Sequence, residues 1–475
     1  MMDRQDGRLS LQELKQNILQ GDAARVAAQH AAGMNTARER IMKLFDAGSF
    51  AELDAFKTAG NAVCGYGCVA DRPVYCFAQD KASLGGAMGK AQAEKIIKVL
   101  ELAAKTGAPV VALLDSEGAK LDEGMDAMNS YAAVLACMAR LSGVCPMIAC
   151  VMGPCQGAAA LISQAADLTI LVKKTGKLAV HSALVTGKAL EAEELAAQGC
   201  VSLIAENEAD AIAKIQRLLD LLPGCNLEDA PLCDGEDLNR LVNGADAGDI
   251  GTLLGELADD GQTMELYAGF GRSVRTVLCR IGGRSAGVIA NDYALDGGRM
   301  DIAGCEKTAR FVRFCDCFGL QIVTLVNTDG LSIENPANQG KLMRSAAGVA
   351  CAYAEATAPK LAVLIGHAVG SAYIALSGKS MADVCLAWPD AFVSALTAEA
   401  AVQVLCDEQL NAGGDREKLQ ATYLKSCDAI AAAQKGIADD VIEAQDTRKA
   451  LIAAMEMLSS KRDVTLPKKH GNMPL

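Results

Sequence analysis

Two stretches of this chain could do chemistry with backbone groups alone. The apolar run Ile148-Ala-Cys-Val-Met152 leads into Gly153-Pro-Cys-Gln-Gly157-Ala158, and Val363-Leu-Ile365 leads into Gly366-His-Ala-Val-Gly370-Ser371-Ala372. Each reads as a strand, a glycine turn and a helix. At such a junction the first helical N–H groups have no internal partner and lie at the positive end of the helix dipole. Glycine in the turn lets a ligand oxygen come close. Two such N–H groups make an oxyanion hole, in which each donor is worth on the order of 3 kcal/mol in a transition state. Side chains offer less. The four histidines, His30, His181, His367 and His470, have no Ser or Cys beside them in a Gly-x-Ser-x-Gly context. His367 falls in the second turn and reads as a loop residue rather than a base. The chain has no Walker-type phosphate loop, which argues against ATP use. The pairs Cys64/Cys68 and Cys315/Cys317 have no second pair at zinc-site spacing, so no metal site is expected. A reaction run by backbone donors, its base supplied by a reactant, fits this poverty of side chains.

The two turns belong to a longer repetition. Asp80 precedes Gly85-Gly86 by five residues, as Asp292 precedes Gly297-Gly298. Thirty-six residues separate Asp80 from Ser116, and 36 separate Asp292 from Thr328. From Ser116 to Gly157 is 41 residues, and from Thr328 to Gly370 is 42. Two copies of one fold imply two related sites and a reaction that joins two reactants.

The elements that must hold these sites alternate along the chain. Val110–Leu114, Met147–Met152, Leu168–Val172, Ile322–Val326 and Leu361–Ile365 read as strands. Ala91–Lys105, Tyr131–Leu141 and Lys307–Phe318 read as helices, giving an α/β architecture. Residues 10–46 read as helical, with Ser10 and Glu13 as a capping box, and Asp46-Ala-Gly48 stops the run. Gly224 to Gly251 is rich in Asp, Gly and Asn. Residues 224–265 therefore read as a linker between a first domain, 1–223, and a second, 266–475. The polar tail from Lys461 reads as an extended arm.

A chain of 475 residues with 51% hydrophobic content can bury two large cores. Its net charge of −13 argues against a nucleic-acid surface. Eighteen cysteines lie scattered through apolar stretches, as reduced core thiols of a cytoplasmic protein do. The start, Met-Met-Asp-Arg-Gln-Asp-Gly, lacks the apolar region of a signal peptide. Met147–Ala166 and Leu361–Gly378 are long enough to span a membrane on paper. Glycines break both in the middle, so each reads as a strand, a turn and a helix.

With these residues in view, the chain resembles the carboxyltransferase subunits of biotin-dependent acyl-CoA carboxylases and the α subunits of sodium-pumping acyl-CoA decarboxylases, of the crotonase-like superfamily. The resemblance runs through Thr36-Ala-Arg-Glu-Arg40, Gly48-Ser-Phe-Ala-Glu-Leu-Asp54, Val74-Tyr-Cys-Phe-Ala-Gln-Asp80, Gly85-Gly86, Lys105-Thr-Gly-Ala-Pro109 and Gly153-Pro-Cys155. It continues through Ala309-Arg-Phe-Val-Arg-Phe-Cys-Asp316, Ala352-Tyr-Ala-Glu-Ala-Thr357, Ala387-Trp-Pro389 and Lys468-Lys-His-Gly-Asn-Met-Pro-Leu475. It implies two tandem crotonase-like (ClpP/crotonase) domains from an internal duplication. The first half would bind a coenzyme A thioester and the second a carboxylated biotin borne by a separate carrier protein. The N–H groups of Gly157 and Ala158 would hold a thioester enolate, and those of Gly370, Ser371 and Ala372 would polarise the biotin ureido oxygen. Gly85, Gly86, Ser116, Gly118, Ala119, Tyr373 and Ile374 would contact substrate. The resemblance also implies a homo-oligomer, a dimer or a trimer of dimers, with its active site shared between protomers.

The chain departs from the family pattern in several places. Gly-Gly becomes Gly157-Ala158 and Gly370-Ser371. Ser-Gly-Gly-Ala-Arg becomes Ser116-Glu-Gly-Ala-Lys120, and the Pro-Gly-Phe expected after the second-half strand is replaced by Thr328-Asp-Gly-Leu331. Ile374 stands after Tyr373 where propionyl-type members carry Asp, leaving the acyl group open. There is no Ala-Met-Lys-Met biotin-attachment motif, since Ala454-Met-Glu-Met457 lacks the lysine. No ATP-grasp domain is evident, so a biotin carboxylase or a membrane decarboxylase subunit would be a separate chain. Carboxylation and decarboxylation remain open, with methylmalonyl-CoA and glutaconyl-CoA among the substrates. A hydratase using Glu117 and Glu123, or a non-catalytic assembly subunit, are the other readings.

Overall fold

The computed structural model describes residues 10–20, 22–57, 61–181, 183–187, 190–243, 246–333, 336–464 and 466–472. The chain divides into two compact units, Met1–Ala196 with Cys200–Glu228, and Ala197–Gly199 with Asp229–Leu475. The strands of the first are β1 (Ala51–Leu53), β2 (Ala62–Val69), β3 (Arg72–Gln79), β4 (Val110–Ser116), β5 (Met147–Gln156), β6 (Leu168–Val172), β7 (Lys177–Ala179) and β8 (Leu203–Ala205). Those of the second are β9 (Thr263–Leu266), β10 (Val274–Ile281), β11 (Arg284–Asn291), β12 (Gln321–Thr328), β13 (Lys360–Val369), β14 (Val384–Ala387), β15 (Phe392–Ser394) and β16 (Asp440–Val441).

The duplication is visible in the pairing. The first sheet runs β1-β2-β3-β4-β5-β6-β8 with β7 beside β5, and the second β9-β10-β11-β12-β13-β14-β16 with β15 beside β13. In both, the first three strands are antiparallel and the rest parallel. A parallel sheet needs both faces covered, and every residue of β4 and β12 is buried. The helix Lys90–Thr106 supplies one cover by burying Ile96, Val99, Leu100 and Ala103, a helical spacing. Gly107 ends that helix in the left-handed region.

The repetition extends to side chains. Lys95 Nζ donates to Ala62 O at 2.6 Å, and Lys307 Nζ in the second unit donates to Val274 O at 2.7 Å. Both lysines are buried at the same place in their helices, tying the helix to the start of a strand.

The elements differ from expectation in four places. Residues 10–46 are three helices, Leu11–Gln20, Ala23–Ala31 and Ala37–Leu44, because Asp22 and Thr36 each cap a new start. The turns expected at Gly153–Gly157 and Gly366–Gly370 are mostly strand. β5 pairs β6 through Val151 and then takes β7 as its neighbour from Pro154 to Gln156, and β13 does the same with β14 and β15. His367 therefore lies in a strand, not in a loop. Within residues 224–265, expected as a linker, Ile250–Leu257 is a helix whose Leu253, Leu254 and Leu257 are buried in the second core. The membrane-length runs resolve into β5 with the helix Ala158–Ala165 and β13 with the helix Gly370–Ser377. Among the described residues no helix is long and apolar enough to cross a membrane.

Candidate active site

In the first unit the site forms where β4 and β5 end. Ser116 pairs with Cys155 after a register shift that follows Leu114. Ser116 is fully buried, and its Oγ accepts the Gly118 N–H at 3.1 Å, which turns the chain. The turned segment is then clamped on both sides of Ala119. Met88 N donates to Gly118 O at 2.9 Å, and Lys120 N donates to Met88 O at 3.0 Å. Between these bonds the Ala119 N–H has no acceptor among the described residues. The neighbouring free donor is Ala158, the first residue of its helix and so without an intrahelical partner. The two segments lie side by side, since a Cβ added at Gly118 would be 3.9 Å from Gln156 O.

Gly157 has a different role from the one its position suggests. Its own N–H donates to Ala179 O at 3.0 Å, so it is already committed to β7. Its contribution is conformational, with φ 64° and ψ −131° as the cap of the helix, a backbone state that side chains disfavour. The pair of free donors beside one another is thus Ala119 with Ala158, rather than Gly157 with Ala158.

Gly85 and Gly86 support this turn from beneath. Both have positive φ, and a Cβ on Gly86 would sit 2.3 Å from Asp115 O. The second unit repeats the device, with Gly298 at φ 64°, where an added Cβ would sit 2.2 Å from Asn327 O. Gly86→Ala is expected to destabilise the first unit by about 1–3 kcal/mol through steric overlap and backbone strain. A urea titration checks this, and an unchanged midpoint would contradict it.

A buried ion cluster lies behind the donors. Arg40, 1% exposed, donates from Nη1 to Asp115 Oδ2 at 2.7 Å and from Nη2 to Glu208 Oε1 at 2.6 Å. Asn35 adds two donors to Glu208. Burial pushes the Asp115 carboxyl up against the pull of Arg40. Gly153 must be glycine beside it, since a Cβ there would fall 2.0 Å from Asp115 Oδ1. Sequence reasoning missed this cluster as a unit. Its one local signal is Arg40, which closes the motif Thr36-Ala-Arg-Glu-Arg40.

The second unit builds the same corner. Thr328 Oγ1 accepts the Gly330 N–H at 3.1 Å, and Leu331 is bracketed by bonds to Met300 as Ala119 is by bonds to Met88. Gly370 has φ 61° and begins the helix Gly370–Ser377. Ser371 is exposed at that helix start, and Ala372 is buried. Tyr373, expected to contact substrate, packs in the core with Val326, Leu364 and Cys385. Ile374 beside it is 60% exposed.

The carboxylates that a hydratase would need are spoken for or turned away. Glu123 accepts from Lys120 Nζ at 2.8 Å and from Lys90 N at 2.7 Å. These bonds hold its carboxyl below the usual range. Glu117 is exposed and lies against Gly85. A cavity of about 740 Å³ in the same unit is lined by Arg38, Lys57, Asp80, Ser83 and Leu84, but not by the donor pair. Among the described residues no group of three His, Cys, Asp or Glu could hold a metal ion.

The model of the carboxyl transferase domain family matches residues 28–473, nearly the whole chain. The chain belongs to the carboxyl transferase family. It is 34% identical to the methylmalonyl-CoA decarboxylase subunit alpha of Propionigenium modestum, with 98% of each chain covered. It is 33% identical to the methylmalonyl-CoA carboxyltransferase 12S subunit of Propionibacterium freudenreichii subsp. shermanii, over 96% of this chain and 94% of that one. The solved transcarboxylase 12S, with methylmalonyl-coenzyme A and methylmalonic acid bound, superposes with a TM-score of 0.94 at 32% identity, covering 100% of both chains. The two-sheet crotonase-like architecture expected from the sequence is therefore the family's fold. The chain is an acyl-CoA carboxyltransferase of the kind found in biotin-dependent carboxylases and decarboxylases.

Proposed function

We propose that this chain moves a carboxylate between biotin on a separate carrier protein and the α-carbon of a methylmalonyl-CoA or propionyl-CoA type thioester. The observation that carries the reading is the pair of free donors, Ala119 and Ala158 N–H, held side by side in the first unit. Removing or adding the α-carboxylate places negative charge on the thioester oxygen. Two fixed N–H donors, one at a helix start, stabilise that charge where it develops. Biotin would supply the nitrogen that carries the carboxylate. The corner of the second unit around Gly370 and Ser371, with φ 61° at the helix start, offers close backbone approach to its ureido oxygen.

The likeness to a decarboxylase α subunit supports the reverse direction equally, with a membrane subunit in place of a biotin carboxylase. The assembly is proposed to be a homo-oligomer, as the hexamer named for the transcarboxylase 12S structure suggests. Its eighteen free cysteines support a reducing, cytoplasmic setting. The purified chain is expected to decarboxylate methylmalonyl-CoA faster than malonyl-CoA or glutaconyl-CoA when free biotin is present. Turnover restricted to glutaconyl-CoA would reassign the acyl group, and no biotin-dependent turnover with any of them would favour an assembly subunit.

A further inference from the structure

The two units share a backbone but differ in side chains at the strand ends, and three of the differing positions come together in the second unit. In the first unit Lys81, Glu117 and Pro154 follow β3, follow β4 and lie within β5. In the second, Tyr293, Asp329 and His367 occupy the matching places and form a cluster. His367 Nδ1 lies 2.6 Å from Asp329 Oδ1. Tyr293 OH lies 3.3 Å from the same nitrogen and 3.4 Å from Asp329 Oδ2. The ring is fixed edge-on by Tyr293 and Phe392, with centroids 5.2 and 5.7 Å away. The His367 backbone N–H donates to Asn327 Oδ1 at 2.9 Å, fixing the strand beneath the ring. Asp329 lies in Thr328-Asp-Gly-Leu331, the stretch that replaces the Pro-Gly-Phe of the family pattern, so the carboxylate that orients the imidazole belongs to this chain's departure from that pattern.

This arrangement sets the tautomer. In the tautomer that carries its proton on Nδ1, beside the carboxylate, Nε2 presents a lone pair. Asp329 is 15% exposed while the His367 side chain is 41% exposed, and Nε2 has no hydrogen bond among the described residues. His367 lies three residues before Gly370, at the carboxyl end of a parallel strand, where open α/β sheets take ligands.

We infer that His367 Nε2 accepts an N–H of the ligand in the second unit while the helix start at Gly370 and Ser371 meets that ligand's carbonyl oxygen, a two-point fit to a cyclic urea. The inference rests on the proposed function, in which that ligand is biotin. His367 is then a binding residue, with Asp329 positioning it. The charged and titratable groups facing the ring are Asp329 and Tyr293, with Arg299 3.8 Å from Asp329 and Tyr423 behind Phe392.

The test measures KM for free biotin and for acyl-CoA in the full chain and in His367→Gln, His367→Ala and Asp329→Ala, with folding checked by circular dichroism. Loss of one such hydrogen bond is expected to raise the KM for biotin about tenfold in His367→Ala, with the KM for acyl-CoA within about twofold. His367→Gln, whose amide oxygen can accept the same N–H, should raise the KM for biotin less than His367→Ala does. Asp329→Ala should give an intermediate increase. Unchanged KM for biotin in both folded His367 variants would overturn the inference and leave the proposed function standing. Wild-type turnover without any biotin dependence would overturn both.

Discussion

Ala158→Pro should cut kcat by about 10²–10³ in a chain that remains folded. The expectation follows from where Ala158 sits. It is the first residue of the helix Ala158–Ala165, the position at which proline is best tolerated because the missing N–H had no intrahelical partner. The substitution therefore removes the donor and keeps the helix. Gly157→Pro would be a poor probe, since residue 157 has φ 64° and its N–H is bonded to Ala179 O. Proline cannot adopt that φ. Ala158→Gly keeps the N–H and should retain most of the activity. Steady-state kinetics beside thermal unfolding checks the pair of variants. A folded Ala158→Pro chain with wild-type kcat would remove Ala158 from the oxyanion hole.

Arg40→Ala should destabilise the first unit by about 3–5 kcal/mol. The arginine is fully buried and bonded to two carboxylates, Asp115 and Glu208, themselves 0% and 9% exposed at the side chain. Its removal strands both charges in the core, where burial already pushes Asp115 up. Asp115→Asn should cost less, because Arg40 keeps Glu208. The second unit places Asn327 at the position of Asp115 and satisfies it with neutral partners, His367 N–H to Oδ1 and Nδ2 to Ala247 O. Denaturant unfolding that gave Arg40→Ala a smaller loss than Asp115→Asn would contradict this account.

The duplication was legible because its landmarks are local: glycines with positive φ, a hydroxyl closing a turn, and apolar runs of strand length. Leu168–Val172 was read to the residue for that reason. What was not legible depends on distant partners. Arg40 meets Asp115 and Glu208 across 75 and 168 residues, and no spacing in the sequence marks such a pair. The loss of Gly157 as a donor depends on β5 changing neighbours part-way along, which brings Ala179 to its N–H. Ala119 is exposed as a donor by backbone bonds on either side of it and has no side-chain signature. His367 looked like a loop residue because Gly366 and Gly370 flank it, yet pairing with Phe392 keeps it in β13.

The most direct test of the central claim follows a labelled carboxylate. Methylmalonyl-CoA carrying a radiolabel in its free carboxylate is incubated with the purified chain, with and without biotin, and labelled carboxybiotin is trapped by methylation. The account predicts label on biotin, formed at a rate that saturates with biotin and falls with Ala158→Pro. Loss of label from the thioester at the same rate with and without biotin, and none recovered on biotin, would contradict it.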